Sequence, residues 1–140
     1  VSGYGEQDHV RVEREGDVLH VTLANPAQRN AQTPATWRRL ASIAELVTAD
    51  VRAVVLRGEG PSFSAGLDRR MFTPAGIPGE ESLLTLAGYD AEQTDVFITQ
   101  AQAAFTWWRE VPAVTVAIVQ GHAIGAGFQL ALACDVMLLA

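Results

Sequence analysis

PAVTVAIVQGHAIGAGFQLALACD, residues 112–135, is the stretch that decides how this chain folds. Ala113 to Val119 is a short run of apolar and β-branched residues, which reads as a buried strand. Gly121 to Gly127 is a turn of small residues, and a helix is expected from about Gly127 to Cys134. Strand, tight turn and helix N-terminus in that order leave backbone N–H groups without intrahelical acceptors, aimed at whatever negative charge approaches.

Working outward, a second loop has the same physical character. Ser64-Ala65-Gly66-Leu67 also follows an apolar strand, AVVL at 53–56, and its small side chains let a ligand atom come close to the backbone. Two N–H donors from separate loops that converge on one oxygen form an oxyanion hole, each worth on the order of a hundred- to a thousandfold in rate. Such a device suits a thioester carbonyl on its way to an enolate.

The rest of the chain supplies a frame for those loops. VRVERE at 10–15 alternates apolar and charged residues, Gly16-Asp17 turns, and VLHVTL at 18–23 is the expected hairpin partner. Thr33-Pro34 is a good helix start, with Trp37, Leu40, Ala41, Ala44 and Val47 on one face. A strand, a helix and the strand at 53–56 imply a crossover onto a parallel neighbour. Residues 69–93 lack periodicity and are expected to be a mobile loop, followed by a helix over 94–110 that Pro112 stops. A strand-strand-helix rhythm recurs along the chain, so the predicted class is α/β, a spiral of ββα turns.

Composition narrows the partners. The 140 residues, a single domain over 1–140, are 49% hydrophobic and 19% charged, with net charge −6. There is no basic stripe for nucleic acid. All ten basic residues are arginines. The run from Val111 to Ala140 carries one formal charge, Asp135, yet Pro112, Gln120, His122 and the glycines break it, so no membrane span is expected. The lone Cys134 cannot form an internal disulfide, which points to a reducing, cytoplasmic setting. No His, Cys, Asp and Glu cluster has metal-ligand spacing, and no metal is expected. The first residue is Val1, which reads as a processed, trimmed or alternative start.

These residues carry a family resemblance. AsnPro with ArgAsnAla (25–31), AVVLRGEG (53–60), PheSerAlaGlyLeuAsp (63–68) and GHAIGAGFQLALACD (121–135) resemble the N-terminal half of a crotonase, the enoyl-CoA hydratase/isomerase family. The resemblance implies a crotonase-like spiral that binds acyl-CoA thioesters, in fatty-acid or related acyl-CoA metabolism. By motif position it implies oxyanion donors at the N–H of Leu67 and of Ala126. It also implies CoA contacts from Arg29, Asn30, Ala31, Ala65, Gly66, Asp68 and Gly125. No separate cofactor is implied, coenzyme A being part of the substrate, and a homo-oligomer (trimer or hexamer) is usual in the family.

One departure bears on chemistry. Where hydratases of this family carry their first catalytic Glu, two residues past the last glycine of the turn, this chain has Gln129. An amide can hold water or the thioester by hydrogen bonds but cannot take a proton near neutral pH. The second family carboxylate falls beyond residue 140, and family members are longer, so the chain reads as truncated before a C-terminal helical part. Two functions stay open at this point: an enoyl-CoA hydratase or isomerase, and a catalytically silent acyl-CoA-binding protein.

Overall fold

The computed structural model describes residues 3–140; the opening Val1 lies outside the described residues. Six strands form one sheet, and their order in the sheet is their order in the chain. They are β1 (Gly5–Gln7), β2 (Val10–Glu15), β3 (Val18–Leu23), β4 (Ala53–Gly58), β5 (Val114–Val119) and β6 (Val136–Leu139). The first three pair antiparallel through tight turns. From β3 onward the pairing is parallel, which requires a crossover between successive strands.

Alternation along the strands builds the core. Val12, Val21, Leu56, Ala117 and Met137 form one row across five strands, and Leu19, Val54 and Thr115 form the next. All but the half-buried Met137 are inaccessible to solvent. Helices α1 (Pro34–Ser42) and α3 (Ala91–Thr106) pack against each other, with the rings of Trp37 and Phe105 tilted 60° at 6.4 Å. Trp107 and Trp108 stack at 4.0 Å within the core. Their ring N–H groups donate to the Leu40 and Ala104 carbonyls at 3.0 and 2.8 Å, so both indoles are fully employed.

The ββα rhythm is present in reduced form. The second strand of each turn shrinks to an isolated parallel bridge, Gln32 with Leu67 and Ser64 with Ala123, and these bridges stack one turn of the spiral on the next. A short pass is enough here because most of each turn's apolar surface goes into the main sheet.

Local chemistry explains where the structure departs from the sequence reading. β1 has no apolar alternation and the sequence reading does not include it; it pairs with β2 across a turn at Asp8 and His9, both at positive φ. Residues 69–93 are not featureless. They hold a 3₁₀ turn, Arg69–Phe72, with Met71 buried, and a four-residue helix, α2 (Leu83–Leu86), capped by Ser82. Helix α3 begins at Ala91 because Asp90 and Gln93 form a reciprocal capping box. It gives way at Thr106 to a 3₁₀ turn, Trp107–Arg109. The last helix, α4 (Ala126–Ala133), starts one residue before the expected Gly127. Cys134 is buried just past its end, and burial pushes its thiol up to about 12. Among the described residues no helix is long and apolar enough to cross a membrane.

Candidate functional site

The Gly66 and Gly125 loops meet face to face. Gly66 has φ +87°, and a β-carbon there would lie 2.5 Å from the Ile124 carbonyl oxygen and 3.4 Å from the Ala126 nitrogen. Only glycine fits this approach. Gly125, at φ +54°, is the N-cap of α4. Ala126 is not among the residues with positive φ and opens the helix, so its side chain is accommodated without strain.

Backbone hydrogen bonds orient two N–H groups between these loops. The Gly66 carbonyl accepts from Gln32 N–H at 2.7 Å, and Asp68 N–H donates to the Gln32 carbonyl at 2.9 Å. In a trans peptide the C=O and N–H point in opposite directions, so Leu67 N–H faces away from Gln32. The Gly125 carbonyl accepts from Gln129 N–H at 3.0 Å along the helix, which aims Ala126 N–H out of the N-terminus. Among the described residues neither N–H has a hydrogen-bond acceptor.

Two clefts open at this junction, and Leu67 lines both. The larger, about 1120 Å³, runs between α3 and α4, with Trp37, Phe105 and Leu132 as apolar walls and Gly125, Ala126 and Gln129 at its base. Gln129 is exposed, one turn along α4 from Ala126 and on the same face. The smaller, about 470 Å³, lies between residues 27–31 and 65–70. Arg29, Ala31, Ala65, Asp68, Arg69 and Arg70 line it, three guanidiniums against one carboxylate.

That carboxylate is already engaged. Arg70 grips Asp68 with Nη2 at 2.7 Å and Nε at 3.0 Å, and Arg70 N–H donates to Asp68 at 2.9 Å. The Arg70 side-chain hydrogen bonds hold the Asp68 carboxyl below the usual range, against the opposing effect of burial. Asp68 thus caps the 3₁₀ turn and fixes one of the arginines at the cleft mouth. Asn30 is buried and its side chain serves the protein. Its amide donates to the carbonyls of Glu59, Ser62 and Phe63 at 2.9–3.1 Å and its oxygen accepts from Asn25 N–H at 2.8 Å. What Asn30 offers the cleft is the shape of the Arg29–Ala31 turn, both Arg29 and Asn30 having positive φ. The Arg29 carbonyl in turn accepts from Ala65 N–H at 2.8 Å.

His122, beside the glycine turn, lines neither cleft; its ring Nδ1 sits 3.3 Å from Ser62 Oγ. Asp135 braces the sheet, accepting from Thr115 N–H at 3.0 Å while its own N–H donates to Thr115 Oγ1. Sequence reasoning did not single out Gln32, which is fully buried beneath the Gly66 loop, or the role of Trp37 and Phe105 as cleft walls. A polar Gln immediately before a helix N-cap was the available signal for the first; the aromatics carried a helical period that reads as core packing alone.

The chain belongs to the enoyl-CoA hydratase/isomerase family: residues 13–140 match it. Among curated proteins it is 34% identical over 122 residues to the mitochondrial Delta(3,5)-Delta(2,4)-dienoyl-CoA isomerase of Mus musculus, covering 85% of this chain and 36% of that protein. It is 29% identical over 138 residues to the hydroxycinnamoyl-CoA hydratase-lyase of Pseudomonas fluorescens, covering 97% and 47%. A candidate enoyl-CoA hydratase of Thermobifida fusca YX, crystallised with acetoacetyl-CoA, superposes with a TM-score of 0.85 at 41% identity, covering 99% of this chain and 52% of that one. The chain therefore spans about half or less of the length of these relatives.

Proposed function

We propose that the protein binds an acyl-CoA thioester with its carbonyl oxygen between the N–H groups of Leu67 and Ala126, and that this pair stabilises the thioester enolate. The observation that carries the reading is the pair of acceptor-free N–H donors where an apolar cleft meets an arginine-lined one. The acyl group takes the apolar side, against Trp37 and Phe105. Arg29, Arg69 and Arg70 meet the phosphates of coenzyme A, with Ala31, Ala65, Gly66, Asp68 and Gly125 shaping the path between. No separate cofactor enters the reading.

The reaction it supports is of the enoyl-CoA hydratase or isomerase type. When a base removes the α-proton, the C–H electron pair forms a carbon–carbon double bond and the carbonyl π pair moves onto oxygen. Donors held at that oxygen stabilise the charge as it develops, at no cost in reorganisation. Gln129 does not titrate, so its part is to orient water or the thioester, and the proton goes to another group. That same Gln129 favours the second reading, an acyl-CoA-binding protein without turnover.

Acetoacetyl-CoA tests the site directly, because its acidic α-carbon reports oxyanion stabilisation as a rise in the ultraviolet enolate band. Calorimetric binding with a raised enolate band is expected; absence of both removes the acyl-CoA reading. Turnover of short and medium enoyl-CoAs separates the two functions. Gln129→Glu is expected to raise hydration of enoyl-CoA at least tenfold, on the scale of one general acid–base group. Binding with an enolate band but no turnover in either form establishes the silent binder.

A further inference from the structure

Beneath the Gly66 loop lies a buried polar chain that packing alone does not require. Ser64 and Gln32 are both fully inaccessible and Trp37 is 7% exposed. Ser64 Oγ donates to the Asn30 carbonyl at 2.8 Å, and accepts from Gln32 Nε2 and from Gly66 N–H, both at 3.2 Å. One donor and two acceptors are the whole capacity of a hydroxyl, and all three are used. Gln32 Oε1 accepts from the indole N–H of Trp37 at 3.0 Å. A buried polar network is costly unless every member is satisfied, and a Leu at position 32 would fill the space without that demand.

The polar chain ends at Gly66, the residue whose carbonyl shares a peptide with Leu67 N–H. Ser64 Oγ holds Gly66 N–H, and Gln32 N–H holds the Gly66 carbonyl, so the residue before Leu67 is fixed from both sides. The opposing loop is tied to the same serine: Ser64 N–H donates to the His122 carbonyl and Ile124 N–H donates to the Ser64 carbonyl, both at 3.0 Å. A β-carbon at Gly127 would lie 2.8 Å from Ser64 Cβ, so the first turn of α4 rests on it. Trp37, the far end of the chain, is a wall of the larger cleft.

We propose that Gln32 and Ser64 are positioning residues that set the direction of Leu67 N–H, with Trp37 anchoring them to the acyl side of the cleft. This rests on the enolate-stabilising reading above. Neither residue touches the ligand: the Ser64 hydroxyl holds Gly66 N–H, one peptide before Leu67 N–H, and the Gln32 side chain acts by holding that hydroxyl. A misdirected donor loses the enolate more than the ground-state thioester, because the charge to be stabilised is largest there.

The test uses acetoacetyl-CoA with the wild-type protein and with Ser64→Ala, Gln32→Leu and Trp37→Phe. Calorimetry gives the affinity and the ultraviolet enolate band gives the enolate fraction per bound ligand. Ser64→Ala and Gln32→Leu are expected to keep wild-type affinity while the enolate fraction falls about tenfold. The double variant is expected to be no worse than Ser64→Ala, because the two act in series. Folded variants that bind and keep the wild-type enolate fraction overturn the proposal, as does an equal loss of binding and enolate. Should the serine and glutamine variants fail to fold, Trp37→Phe decides: it keeps an aromatic six-membered ring at the cleft wall and removes the five-membered ring with the N–H that Gln32 Oε1 accepts, and an unchanged enolate fraction per bound ligand overturns the proposal. Failure of the underlying reading shows separately, as a wild-type protein that raises no enolate band.

Discussion

At Gly125 and Ala126 two adjacent small residues do opposite work. Gly125 needs its φ of +54°, though a side chain there would meet open space. Gly125→Ala is expected to cost about 1–3 kcal/mol from backbone strain alone, because φ +54° with ψ −120° is a conformation open essentially to glycine, and to tilt the start of α4, read as a lower midpoint in urea. Ala126→Gly should change stability by less than about 1 kcal/mol, because position 126 already has ordinary helical backbone. Asp68 gives a pH signature. Its carboxyl is held below the usual range in the fold, so the stability it contributes is complete above the ordinary carboxylate value and is lost as pH falls through the lowered one. The melting-temperature gap between wild type and Asp68→Asn is therefore expected to be full near neutral pH and to narrow as pH falls below the ordinary carboxylate value of about 4.

Among elements, the segment between β4 and α3 is tied to α1 by two carboxylates, Glu80 and Glu81, the second paired with Arg38 at 3.3 Å. Glu80 Oε1 accepts from Ala35 N–H at 2.6 Å, and Thr33 Oγ1 accepts from Thr36 N–H at 3.2 Å. Together they satisfy two of the N–H groups that the first turn of α1 leaves open. Glu80 is also a carboxylate at the positive end of the helix. Glu80→Ala is expected to cost about 1 kcal/mol and to make residues 69–93 more readily cut by protease in the native state. Equal cleavage rates would show that the segment is kept down without Glu80, by burial of Met71 and Ile77 and by the Arg38–Glu81 pair.

At the scale of the molecule, the sheet, α1 and α3 share one core, and Trp108 is its largest fully buried side chain. Its indole N–H is satisfied within its own helical turn, so truncation removes packing and strands no buried partner other than the Ala104 carbonyl. Trp108→Ala is expected to cost about 3–5 kcal/mol, measured by denaturant unfolding. Because α3 forms one wall of the larger cleft, the same change should also weaken acyl-CoA binding, whereas Asp68→Asn should act on the smaller cleft.

Strand alternation at 10–23, the Thr33-Pro34 helix start and the two small-residue loops were legible in the sequence, because each rests on contacts within a few residues. The family followed from those motifs, and the same motifs suggested where to look for N–H donors, since the peptide supplies them whatever the side chains are. Tertiary structure decided what lies far apart in the chain. It set Gln32 beneath Gly66, spent Asn30 on carbonyls 29 to 33 residues away, and paired Asp68 with Arg70 at the mouth of a cleft. It also showed β1, held by pairing with β2 rather than by any pattern of its own. Local propensity sets where an element starts and stops; only the packed fold determines which buried polar groups must find each other, and at Gln32, Ser64 and Trp37 that requirement joins the core to the candidate site.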